Sequence, residues 1–107
     1  MAEYDLEQVK AAAQSLGIEY RGRKVSRDIA NLGYDINDVS SCLCQLRSCD
    51  FRKTHTYENQ PPDDEYICRY KKDPEEYEYE YDELYVKFCL IDGYLIIDLA
   101  SFHLPQY

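Results

Sequence analysis

"LYVKFCLIDGYLIIDL", residues 84–99, sets how the rest of the chain must fold. Leu84, Val86, Phe88 and Leu90 alternate with Tyr85, Lys87 and Cys89, the two-residue period of a strand with one buried face. Asp92 and Gly93 form a strong signal for a tight turn between two strands, and "YLIIDL" follows at once. The stretch predicts an antiparallel hairpin whose apolar side needs cover, with Tyr85 and Lys87 left on the opposite, open side.

Two further strands precede the hairpin. "FRKTHTY", residues 51–57, is the first and "YICRYKK", residues 66–72, the second. Between them "ENQPPDDE" reads as a loop fixed by Pro61 and Pro62. Lys53, His55 and Tyr57 share one side of the first strand. Where that side is also the open one, a lysine, a histidine and two tyrosines converge on a single surface.

The cover comes from the first half of the chain. Leu6, Val9, Ala12, Ala13 and Leu16 follow the 3.6-residue period of a helix, and Gly17 is a natural stop. "IEYRGRKVS", residues 18–26, reads as a polar, basic connector, its Arg-Gly-Arg-Lys an ordinary linker. Ser26 is placed to cap a short second helix through Leu32, ended by Gly33. Asp35 is placed to cap a third, with Ile36, Val39, Leu43 and Leu46 on one stripe. Helices first and strands second predict an α+β domain over residues 1–107, with short N-terminal helices packed on one face of an antiparallel β-sheet.

Composition limits the function. The 107 residues are 45% hydrophobic, which suits one folded domain rather than a disordered chain. No run approaches the ~20 apolar residues of a membrane span. "MAEYDLEQVK" lacks the basic and then apolar segments of a signal peptide, so a cytoplasmic location without membrane contact is expected. The five cysteines are odd in number and irregularly spaced, with no Cys-x-x-Cys and only two histidines. That predicts reduced thiols and neither metal nor cofactor. The net charge of −9 argues against polyanions unless the basic residues are gathered in one place. Its distribution is uneven: residues 1–57 balance eight acids with eight bases, and residues 58–107 carry the whole excess. The densest part is "DPEEYEYEYDE", residues 73–83, with seven carboxylates and three tyrosines. Tyr77, Tyr79 and Tyr81 fall on one side of an extended chain. The run is expected to prolong the hairpin strand backwards as a solubilising or partner-facing arm.

Taken in order, "LGYDINDVSSCLCQLRSCDFRKTHTY", an arginine-bearing strand, "LYVKFCLIDGYLIIDL" and a terminal "SFH" resemble the MqsR-type toxins of bacterial type II toxin–antitoxin systems, over roughly residues 30–103. The anchors are Asp50-Phe51-x-Lys53, Tyr85-Val86-Lys87 and Ser101-Phe102. The resemblance implies a RelE-like fold and a metal-independent endoribonuclease that cleaves single-stranded mRNA and is inhibited by a cognate antitoxin protein. It carries catalytic roles onto Lys53 and Tyr85, and a third onto His103, which stands where the family's Ser-Phe-Lys has lysine. Arg69, Lys87 and His55 are the accompanying candidate RNA contacts. The family's glutamine in the second strand has no match; counting from Lys53 falls on Glu65, in the expected loop. A different reading gives the acidic insert the main role: a toxin-fold module, weakened in catalysis, that binds a basic protein partner.

Overall fold

In the computed structural model, which describes residues 1–70 and 81–105, three helices pack on one face of a five-stranded sheet. The elements run α1 (Leu6–Gln14), β1 (Ile18–Tyr20), α2 (Arg23–Asn31), α3 (Ile36–Cys44), a 3₁₀ turn (Ser48–Asp50), β2 (Phe51–His55), β3 (Asp63–Tyr70), β4 (Asp82–Ile91) and β5 (Ile96–His103). The strand order is β1-β5-β4-β3-β2. The architecture is the expected α+β one, with a correction: the sheet is mixed, because β1 runs parallel to β5. The connector reading hid β1, whose three residues are too few to show a period. The expected run 73–83 falls mostly outside the described residues, and of it only Asp82 and Glu83 are seen in β4.

The helix boundaries follow from capping chemistry. Asp5 caps α1 by accepting from the Glu7 amide. Asp35 and Asp38 close a reciprocal capping box on α3, satisfying two amides that a helix end leaves orphaned. The second helix begins three residues before the expected Ser26, at Arg23 behind Gly22, whose φ of 89° suits glycine. At the end of α1 the left-handed residue is Leu16, and its amide and that of Gly17 bond back to Ala13 and Ala12. Gly17 is needed for a different reason: a Cβ there would lie 2.4 Å from the Leu95 carbonyl oxygen, where the β4–β5 turn meets the helix.

The predicted faces of β4 hold. Leu84, Val86, Phe88 and Leu90 are buried, joined by Leu99, Ile97 and Phe102 of β5 and by Val9, Val39 and Leu43 of the helices. Tyr66 stacks on Phe88 with ring centroids 5.7 Å apart, and Tyr34 meets Phe102 edge-on. Each such fully buried side chain contributes about 1.5–3 kcal/mol of transfer free energy. Cys42 of α3 and Cys68 of β3 lie inside this core with sulfurs 3.2 Å apart, as apolar filler that ties helix to sheet. The β4–β5 turn is longer than the two-residue turn expected: Asp92, Gly93 and Tyr94 all have positive φ, and β5 starts only at Ile96.

Two bulges shape the other face. Phe51 pairs with Tyr66 and Lys53 with Glu65, so Arg52 is an extra residue in β2. Lys87 pairs with Ser101 and Phe88 with Leu99, so Ala100 is an extra residue in β5. A regular strand puts residues of equal parity on one side. Without the first bulge Phe51 would share a face with Lys53; with it, Phe51 packs edge-on against Tyr66 in the core. Without the second, His103 would share the core face of Ile97 and Leu99. With it, Phe102 turns inward and His103 outward.

Candidate functional site

The open face of the sheet carries a row of four residues from four strands: Lys53 of β2, Glu65 of β3, Lys87 of β4 and Ser101 of β5. The next row toward the β3–β4 connection is Ile67, Tyr85 and His103. On the other side His55 stands opposite Asp63. Side chains at such positions are within reach of one another, directly or diagonally.

Glu65 is the hub. The Tyr85 hydroxyl donates to its Oε1 at 2.6 Å, and His55 Nε2 lies 2.7 Å from the same oxygen. Burial pushes the Glu65 carboxyl up, but the bonds from Tyr85 and His55, with Lys53 nearby, outweigh it and hold Glu65 below its ordinary value. The Tyr85 phenol is shifted the other way, first by burial and then by the bond to Glu65, and keeps its proton well above the usual range. His103 stacks on Tyr85, centroids 5.1 Å apart and 16° from parallel. Its Nδ1 lies 2.7 Å from the Leu104 carbonyl, which can only accept. Nδ1 therefore carries a proton and Nε2 is left to exchange one. Among the described residues neither Lys53 nor Lys87 lies within ion-pair distance of an acid.

Beside this cluster, on the same face, lies a second one. The Arg21 guanidinium places Nη1 and Nη2 on the two oxygens of Asp63 at 2.9 Å each, and its Nε on Asp98 at 3.0 Å. The Tyr57 hydroxyl donates to Asp63 at 2.9 Å. Asp63 is fully buried, yet its pKa is lowered, because the bonds from Arg21 and Tyr57 exceed the desolvation that opposes them. Cys89 lies 3.3 Å from Arg21, but burial dominates and pushes its thiol up to about 11, so it remains protonated and unreactive. The residues read as a linker thus include an arginine that fastens the end of β1 to β3 and β5.

Of the sequence candidates, Lys53, His55, Tyr85, Lys87 and His103 are gathered around one carboxylate. Arg69 is not: it lies two residues beyond Ile67 on β3, its guanidinium 5.0 Å from the Tyr81 ring. Glu65 was missed because β3 starts at Asp63, three residues earlier than its apolar pattern shows. Asp63, Asp64 and Glu65 look like loop residues after a proline pair, and each is buried against a partner distant in sequence. Asp64 faces the core side, where it accepts from the amides of Glu3 and Tyr4 and from the Thr54 hydroxyl. The one usable signal was the count from Lys53, which falls on Glu65.

No helix among the described residues is long and apolar enough to cross a membrane. No curated protein is significantly similar to the chain. The profile of the family described as "Motility quorum-sensing regulator, toxin of MqsA" matches residues 1–103, so the likeness extends through all three helices and not only from residue 30. The chain therefore belongs to the MqsR toxin family, the toxins of a toxin–antitoxin system.

Proposed function

We propose that this toxin acts in the cytoplasm, as a single domain, as an endoribonuclease on single-stranded mRNA and is silenced by its antitoxin. The observation that carries the reading is the open-face cluster, in which a carboxylate, a phenol and an imidazole capable of proton transfer lie beside two lysines without an acidic partner among the described residues. That is the set needed for attack of a ribose 2′-hydroxyl on the adjacent phosphate.

In this mechanism the 2′-oxygen attacks phosphorus while its proton passes to the Tyr85 oxygen and the Tyr85 proton passes to Glu65. The bond from phosphorus to the 5′-oxygen breaks, and that oxygen takes a proton from Nε2 of His103, which enters the step as the imidazolium with its Nδ1 proton still donated to the Leu104 carbonyl. The products are a 2′,3′-cyclic phosphate and a free 5′-hydroxyl. Lys53 and Lys87, on either side of Glu65, stabilise the charge that builds on the phosphate oxygens. Single-stranded RNA suits an open sheet face, since its splayed bases can stack on exposed rings.

The test is incubation of the purified protein with single-stranded RNA in EDTA. Cleavage is expected, with Lys53→Ala and Tyr85→Phe each slowing it by about a hundredfold or more. Absence of cleavage, or rates unchanged in both variants, would sink the reading.

A further inference from the structure

The sheet face continues past the Tyr85 row into a polar groove of about 430 Å³ whose lining includes three arginines and two acids: Arg47, Arg52, Arg69, Asp50 and Glu83, with Ile67 at the Tyr85 end. Ile67 is the cross-strand partner of Tyr85, and Arg69 and Glu83 form the next row on the same face, roughly 7 Å further along the strands. Arg52 is the bulged residue of β2, and its extra place in the strand lets it line the groove while Phe51 packs inward. We infer that this groove is a second RNA subsite, which holds the backbone phosphates of nucleotides flanking the one at the Glu65 cluster. The inference rests on the proposed RNA chemistry of that cluster and assigns the groove a binding role only.

Charge is the main argument. A chain of net charge −9 binds a polyanion only where its cations are gathered. Five of its twelve lysines and arginines belong to the cluster or to this groove: Arg47, Arg52, Lys53, Arg69 and Lys87. Residue type is the second argument. Arginine presents a planar fork that matches phosphate geometry. The Arg69 guanidinium carbon lies 5.0 Å from the centroid of the Tyr81 ring, a cation–π contact that holds the charge at the groove. Arg47 is partly engaged by Asp50 at 3.3 Å, so the two stronger contacts are Arg52 and Arg69. Continuity is the third: Ile67 lines the groove and is also the cross-strand partner of Tyr85.

The experiment uses the full chain and a fluorescein-labelled 2′-O-methyl decanucleotide, which lacks the attacking hydroxyl and so reports binding apart from cleavage. Arg52→Ala/Arg69→Ala is compared with Arg23→Ala/Arg27→Ala, two exposed changes on α2 that alter net charge equally. The groove variant is expected to bind at least tenfold more weakly, and its salt slope to flatten by about 1.4, from about 0.7 per lost phosphate contact on a single strand. The α2 variant should match the wild type. Equal losses in both variants would reduce the effect to net charge and overturn the subsite, as would unchanged binding in the groove variant. A matching loss for labelled polyglutamate would give the groove to an acidic protein instead, and would also overturn it. A wild type that binds through the groove but never cleaves ordinary RNA keeps the subsite and removes the catalytic reading. A wild type that cleaves with an unaltered groove variant does the reverse.

Discussion

Asp63 and Glu65 are two residues apart on one strand, point to the same face and are both buried, yet their surroundings differ in kind. Asp63 is held by an arginine fork and a tyrosine, and Arg21 spends its remaining Nε on Asp98. Arginine does not release a proton, so the partner that dominates at Asp63 holds the carboxylate in place without moving charge. Glu65 is held by a histidine and a tyrosine, both able to pass protons, with lysines next to it in the row. The same acid type therefore makes a clamp in one place and a candidate relay in the next. The chemistry of the partner separates the two, since both carboxyls are held below their ordinary values. The depression of a pKa alone would not tell them apart.

The contrast breaks most visibly at Glu65. Glu65→Gln keeps the size of the side chain and an oxygen to accept from Tyr85 but cannot take up a proton. It should lower the cleavage rate by about 10²–10⁴-fold while the thermal midpoint moves little. Full activity in that variant would show that Glu65 serves only to accept the Tyr85 hydrogen bond, which a glutamine carbonyl oxygen does equally well.

Asp63→Asn should do the opposite. It removes one arm of an ion pair whose arginine is a third exposed, so the loss is put at about 2 kcal/mol, below the range for a fully buried pair. Denaturant unfolding measures this directly, and cleavage at low temperature should survive. A loss of activity with stability intact would merge the two clusters into one site.

The smallest effect is shared. Both carboxyls have folded pKa values below their unfolded ones, so each contributes stability that is present above about pH 4 and lost as pH falls through the folded value. A series of thermal midpoints from pH 7 downward should fall only at the acid end. Asp63→Asn and Glu65→Gln should each flatten that fall, and a curve unchanged in both would show that neither acid is held as described.

Features that rest on local chemistry are legible along the chain. Alternation in 84–90 assigned the buried and open faces of β4, Asp35 marked the start of α3, and the order of short motifs pointed to the family. The convergence of Lys53, His55 and Tyr85 was readable from parity, because each lies on a regular stretch of its strand. The tertiary structure alone decided what depends on pairing. Three residues at 18–20 become a strand only because β5 offers them an edge. Asp63, Asp64 and Glu65 are polar enough to read as loop, and are strand because Arg21, the N-terminal amides and Tyr85 satisfy them after burial. Above all, His103 reaches Tyr85, and Phe51 the core, because Ala100 and Arg52 are extra residues in their strands. A bulge exchanges the faces of everything beyond it, and no single-strand pattern records it, since it exists only in the register between two strands.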